Sequence, residues 1–194
     1  MDKDKGKKGR IIVISGPSGV GKSTICGLVT ERLEDAVLSV SLTTRPRAKT
    51  EIDGMDYWFV SKEEFKNRIE KGLLLEYAEV FGNLYGTPKD NVDQALGQGR
   101  KVILEIDVQG ARKVKEIYPD TLMIFIMAPT HKELAKRIGG RGRDDKKTVE
   151  KRLKCADSEI AVARKYYEHI VVNDDLNRAV EEIIQIIRER NGDR

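Results

Sequence analysis

Gly16-Pro17-Ser18-Gly19-Val20-Gly21-Lys22-Ser23 is the stretch whose reading decides the fold. It fits the pattern G-x-x-x-x-G-K-[ST]. Before it stands Arg10-Ile11-Ile12-Val13-Ile14-Ser15, apolar and β-branched, which predicts a buried strand. After it, Ile25, Leu28, Val29 and Leu33 recur at helical spacing and predict a helix over residues 24–34. Strand, glycine loop and helix are the context that separates this pattern from a chance glycine-rich turn. Glycines let the backbone turn its N–H groups around phosphate oxygens, and the helix N-terminus adds a positive partial charge aimed at the same anion. On this reading the loop from Gly16 through Pro17, Ser18, Gly19, Val20 and Gly21 to Thr24 cradles the phosphates of a nucleotide. Lys22 reaches the β- and γ-phosphates and Ser23 holds Mg²⁺.

The chain of 194 residues is long enough for a single domain with a sizeable core. Residues 1–9 read as a disordered basic tail and residues 10–194 as that domain. No apolar run approaches the roughly 20 residues that span a bilayer, and the charged N-terminus is not a secretory signal. Cys26 and Cys155 are the only cysteines, too few for a disulfide framework or a zinc site, and they suit a reducing, cytoplasmic setting. Of the net charge of +4, residues 1–10 carry +3 and residues 131–152 carry +5, leaving −4 elsewhere. Such a distribution is not a nucleic-acid footprint spread over one face, and it suits a polyphosphate clamp instead.

Strand and helix signals alternate, which predicts an α/β fold with a mostly parallel sheet and helices on both faces. A second strand is expected over residues 36–41. The basic loop that follows holds Arg45, Pro46, Arg47 and Lys49, and is either a solvated loop or a ligand loop at a strand's carboxyl end. Residues 55–60 read as a strand. Ser61 and Glu64 have capping-box spacing for the next helix. Residues 73–81 read as a further strand, in which Glu76 alternates with Leu75 and Tyr77 and points opposite to them, an orientation that solvent could satisfy. Residues 82–86 read as a turn. Thr87 and Pro88 then open a helix as N-cap and first helical residue. Residues 57–85 thus form a small aromatic insertion in a chain with only 6% Phe, Trp and Tyr.

Residues 101–107 read as an apolar strand ending in the acids Glu105 and Asp107, the kind that delivers a carboxylate near Mg²⁺. Asp107-Val108-Gln109-Gly110 has D-x-x-G spacing, but no Asn-Lys-x-Asp motif accompanies it, which argues against a regulatory GTPase. Strands over residues 121–127 and 169–172, and helices opening at Thr130, over residues 146–167 and over residues 176–190, complete the alternation. Arg137, Arg141, Arg143 and Arg152 bracket the glycines Gly140 and Gly142. They are either a lid that closes on phosphates or solvated charges on a helix pair. Phosphoryl transfer needs a nucleotide cradle, a metal and cationic groups, and Arg45, Tyr57, Glu76 and Tyr85 are candidates for an acceptor site. His131 and His169 read as structural.

Taken together, the motifs resemble the guanylate kinase family over almost the whole chain. The matching pieces are the Gly16 loop, Ser39-Val40-Ser41-Leu42-Thr43-Thr44-Arg45, Asp53-Gly54-Met55-Asp56-Tyr57, Glu76-Tyr77-Ala78, Gly82-Asn83-Leu84-Tyr85-Gly86-Thr87, Glu105-Ile106-Asp107-Val108-Gln109-Gly110 and Val172-Asn173-Asp174. The resemblance implies a P-loop NTPase-type three-layer fold, with a core of about residues 10–41, 88–130 and 153–194. It also implies a GMP-binding part of about residues 42–87 and a lid of about residues 131–152. It implies Mg²⁺-dependent phosphoryl transfer from ATP to GMP or dGMP. Arg45, Tyr57 and Tyr85 would hold the GMP phosphate, and Ser41, Glu76, Thr87 and Asp107 would read the guanine. Arg137, Arg141 and Arg152 match lid arginines, and Asn173 matches a residue beside the ATP adenine. The family's second phosphate arginine falls at Ala48, with Arg47 and Lys49 as the nearest cations. A catalytically inactive interaction module of the same fold is the alternative, disfavoured by the intact Lys22, Ser23 and lid arginines.

Overall fold

The computed structural model describes residues 9–140 and 146–191. In chain order these form β1 (Arg10–Ser15), α1 (Lys22–Arg32), β2 (Ala36–Leu38), β3 (Leu42–Thr43), β4 (Trp58–Phe59), α2 (Lys62–Glu70), β5 (Leu74–Val80), β6 (Asn83–Pro88), α3 (Lys89–Gly97), β7 (Lys101–Glu105), α4 (Val108–Ile117), β8 (Leu122–Met127), α5 (His131–Gly139), α6 (Lys146–Tyr166), β9 (His169–Val172) and α7 (Leu176–Asn191). The α/β alternation expected from sequence is present. Five strands lie in the order β2-β7-β1-β8-β9, and a separate four-stranded sheet runs β4-β3-β6-β5.

The chain divides into two compact units. One holds the described residues up to Ile11 with Asp35–Thr121, and the other holds Ile12–Glu34 with the residues from Leu122 on. In the second unit β1, β8 and β9 pair in parallel, with Ile12 opposite Leu122 and Ile124 opposite His169. Parallel strands covered on both faces read as continuous apolar runs, and Ile12, Val13, Ile14, Ile124, Phe125 and Ile126 are all fully buried. Each such side chain contributes about 2 kcal/mol of hydrophobic burial. Phe125 meets the Tyr167 ring edge-on at 5.2 Å. Arg32 at the end of α1 reaches Glu181 and Asn177 on α7.

In the first unit β2 pairs in parallel with β7, Ala36 opposite Lys101. The strand expected over residues 36–41 breaks at this point. Ser39 N–H still bonds the Ile103 carbonyl at 3.0 Å, but the Ser41 carbonyl accepts from Trp58 N–H at 2.9 Å. The chain changes sheets between them, so an unbroken β-rich sequence serves two ladders. The strand expected over residues 55–60 shrinks to β4, because Met55 N–H bonds back to the Ile52 carbonyl and the Asp56 carboxylate accepts from Ile52 N–H.

The expected turn over residues 82–86 is instead strand β6, paired on both sides, with β3 and with β5. Only Phe81 and Gly82 turn. Both have positive φ, 50° and 79°, and they join the Val80–Asn83 pair as a two-residue hairpin loop. The Thr87 cap is likewise corrected: Pro88 is the N-cap of α3 and Thr87 belongs to β6. The caps expected at Ser61 and Thr130 form, accepting from Glu64 N–H and Glu133 N–H. Among the described residues, no helix is long and apolar enough to cross a membrane.

Candidate active site

The glycine loop leaves the carboxyl end of β1, where open α/β sheets bind ligands. Gly19 and Gly21 hold φ of 90° and 95°, a backbone that side chains resist. Gly21 is the N-cap of α1 and brings no capping side chain, and a helix N-terminus of this kind favours negative charge. Lys22 Nζ folds back to the carbonyls of Gly16, at 2.6 Å, and Pro17, at 3.2 Å. Ser23 and Thr24 are exposed on the first turn of α1.

Three residues from later elements hold this loop within the same unit. Asn173, buried just after β9, donates from Nδ2 to the Val20 carbonyl at 2.7 Å. Its backbone N–H bonds the Met127 carbonyl at 2.8 Å, tying the end of β9 to the end of β8. Arg137 on α5 donates through Nη1 to the Asn173 carbonyl at 3.1 Å and through Nε to Glu133 at 3.1 Å. Arg152 on α6 donates to Ser18 Oγ at 3.3 Å. Arg137 and Arg152 therefore both gather at the loop. Arg141 and Arg143, expected beside them, lie outside the described residues.

The first unit carries two further clusters. In one, Arg45 Nη1 and Nη2 donate to Glu51 Oε2 and Oε1 at 3.0 and 2.7 Å, a two-pronged pair. The same Nη1 donates to the Pro46 carbonyl at 2.9 Å. The guanidinium carbon sits 5.5 Å from the Tyr57 ring centroid and 5.7 Å from that of Phe59. Tyr57 and Tyr85 meet edge-on at 5.9 Å. Hydrogen bonding to Glu51 raises the Arg45 pKa further, while burial keeps the Tyr57 phenol protonated, above its ordinary value. Arg45, Tyr57 and Tyr85 are thus together in one cluster. Arg47 and Lys49 are exposed and outside this cluster. The Ala48 N–H donates to Glu51 Oε2 at 2.7 Å, so the departing position contributes backbone only.

The second cluster centres on Glu76. Sequence alternation would let this residue face solvent, but the structure buries it: Glu76 is only 5% exposed, whereas its neighbour Tyr77 is 40% exposed. The cause is an irregularity in the β5–β6 register between Leu74 and Glu76, which buries Leu75 and Glu76 in succession. Thr87, free of any capping duty, donates its hydroxyl to Glu76 Oε1 at 2.7 Å. Burial is the main force pushing the Glu76 carboxyl up to about 7; Asp107 adds to it, and Thr87 and Lys113 oppose it. Asp107 is the N-cap of α4, its Oδ1 accepting from Gly110 N–H at 2.8 Å. Ser41 is buried but shares no hydrogen bond with Glu76 among the described residues.

Two contributors were not singled out from sequence. Glu51 is an acid six residues after Arg45 in an otherwise basic loop, a signal that was available. Lys113 on α4 donates to the Tyr77 carbonyl at 2.5 Å and lies 4.6 Å from the Tyr77 ring centroid. Nothing in the local sequence points from Lys113 to β5.

A glycine loop between a parallel strand and a helix, with a lysine opening that helix, defines the class: a P-loop NTPase-type nucleotide-binding fold. The comparisons give the family. The family model for guanylate kinase matches residues 8–190. A guanylate kinase from Caldanaerobacter subterraneus subsp. tengcongensis is 49% identical over 93% of this chain and 87% of that protein. One from Rubrobacter xylanophilus is 47% identical over 94% and 95%. The crystal structure of guanylate kinase from Anaplasma phagocytophilum superposes with a TM-score of 0.79 at 36% identity, over 95% of this chain and 87% of that one. The chain belongs to the guanylate kinase family and is an enzyme of that kind, a nucleotide-binding transferase of the kinase class.

Proposed function

We propose that the enzyme transfers the γ-phosphoryl group of ATP to GMP, or to dGMP, giving ADP and GDP. A phosphate oxygen of GMP forms the new bond to phosphorus as the bond to the β-phosphate bridging oxygen breaks. The buried carboxylate of Glu76, fixed by Thr87 beside Asp107, carries this reading. Guanine presents N1–H and a 2-amino group side by side, two donors that suit one ionised carboxylate. Adenine has an acceptor at N1 and no 2-amino group, and would leave the carboxylate unpaired in a buried site. Ser41, Thr87 and Asp107 complete the base-reading set. Arg45, Tyr57 and Tyr85 receive the GMP phosphate, with Arg47 at the edge of that loop.

On the donor side the Gly16–Thr24 backbone takes the ATP phosphates, and Lys22 leaves the Gly16 and Pro17 carbonyls for the β- and γ-phosphates. Arg137, Arg141 and Arg152 neutralise the transferred group. Asn173 supports the loop from beneath and lies toward the adenine. An exposed hydroxyl at Ser23 fits Mg²⁺, which takes most of its ligands from phosphate and water. Bound there, the ion would neutralise phosphate charge. We assign residues 42–87 to the acceptor part and residues 131–152 to the lid. A cytoplasmic setting accords with Cys26 and Cys155 standing outside any disulfide. The test is an ADP-release assay with GMP, dGMP, AMP, UMP and TMP as acceptors. Turnover with GMP and dGMP alone is the expected result, and no turnover with GMP overturns it.

A further inference from the structure

Gly110 is the third residue of α4, inside a helix, where glycine is the poorest helix former after proline. Its backbone is not the reason, because its φ is not positive. The reason is space. A Cβ placed at Gly110 would fall 3.0 Å from the Glu76 carboxyl carbon, closer still to Oε2, and 3.4 Å from Asp107 Oδ1. The first turn of α4 therefore rests directly on the Glu76 carboxylate. Oε1 of that carboxylate is held by Thr87, and Asp107 is anchored through the Gly110 N–H. One residue without a side chain thus lets both acids stand side by side.

We infer that Gly110 is a positioning residue for base recognition: its missing side chain sets where the Glu76 carboxylate stands relative to Asp107. A methyl group here displaces the carboxylate rather than the helix. The clashing atom is the far end of a side chain, while alanine itself favours the helix. The displaced Glu76 loses its paired hydrogen bonds to the guanine N1–H and 2-amino group. This inference rests on the proposed role of Glu76, and the experiment separates the two.

Binding of GMP and of IMP, which lacks the 2-amino group, is measured by calorimetry for the parent enzyme, Gly110→Ala, Glu76→Gln and the double variant. Gly110→Ala is expected to lower the GMP-to-IMP affinity ratio by about tenfold, the worth of one hydrogen bond to a charged group. ATP affinity stays unchanged. In the Glu76→Gln background the same substitution adds nothing to the change in ratio, because the two act through one group. A ratio left intact in Gly110→Ala but lost in Glu76→Gln overturns the role of Gly110 alone. A ratio left intact in Glu76→Gln overturns the base-reading role of Glu76 itself. Thermal melting accompanies each variant. If Gly110→Ala proves unstable, its destabilisation should vanish in a Glu76→Ala background, and equal destabilisation in both backgrounds counts against the inference.

Discussion

Glu51 grips Arg45 with both carboxylate oxygens, along the Nη1–Nη2 edge of the guanidinium. A guanidinium has a second edge, formed by Nε and the other Nη2 hydrogen, that can bind a phosphate in the same two-pronged way. Pro46 takes the remaining Nη1 hydrogen, so the plane of the group is fixed while that second edge stays directed away from Glu51. Glu51 also accepts from Ala48 N–H, which ties the whole loop to the same carboxylate.

Glu51→Gln should therefore raise the KM for GMP by roughly three- to tenfold, since a partly buried ion pair is worth about 1 kcal/mol and the loop anchor adds to it. The KM for ATP should hold. Steady-state kinetics with each substrate varied separately checks this. An unchanged GMP KM would mean that Arg45 needs no partner to present itself.

Lys22→Ala should cut turnover by about 10²- to 10³-fold, the usual loss when one charge-stabilising donor is removed from a transfer site. The fold should survive. Among the described residues, the Lys22 side chain donates only to the part-buried carbonyls of Gly16 and Pro17, a contact within the loop that water can replace. Circular dichroism and the melting temperature supply the control. Full turnover in the variant would remove the glycine loop from the reaction.

The Glu76 carboxyl stands at about 7 in the folded enzyme against an ordinary 4.5, chiefly because it is buried. The folded state thus binds the proton more tightly than the unfolded state. Stability is highest at low pH with respect to this group and falls as pH rises from about 4.5 to 7, by about 3 kcal/mol at most. GMP needs the ionised form, so its affinity should run the other way and tighten from pH 6 to pH 8. Glu76→Gln should flatten the stability slope over pH 4.5–7. It should also remove that part of the GMP pH dependence not due to the ligand's own phosphate. Urea midpoints and calorimetry across this range decide it.

The glycine loop was legible in the sequence because it is local: β1, the loop and α1 are consecutive, and their signals sit within one stretch of chain. The Glu76 cluster, proposed above as part of the acceptor site, was less legible, because it is built by strand pairing at a distance. Glu76 turns inward through a register irregularity against β6, and period-two alternation cannot register that shift. Thr87 followed by Pro88 has the composition of a helix start, yet Thr87 is a strand residue whose hydroxyl serves Glu76. Gly110 belongs to a D-x-x-G spacing that has no bearing on a GTPase switch here. It is a glycine because a carboxylate from another element occupies the place of its side chain. Such contacts are visible only when the partner strand is present.

Asn173 offers the sharpest separation between supporting a loop and touching a nucleotide. Its Nδ2 already donates to the carbonyl of Val20, a residue with no exposed surface, and its own carbonyl holds Arg137. Asn173→Ala removes that donor and leaves a buried carbonyl unsatisfied, a cost of about 1–3 kcal/mol. The variant should lose stability by this amount with no nucleotide present, and the KM for ATP should rise as the loop loosens. Asn173→Asp should be worse, since it sets a carboxylate oxygen against the same carbonyl. Denaturant midpoints without nucleotide give the decisive reading. A variant as stable as the parent but poor in ATP binding would assign Asn173 to the nucleotide alone, while the paired loss marks it as the strut beneath the glycine loop.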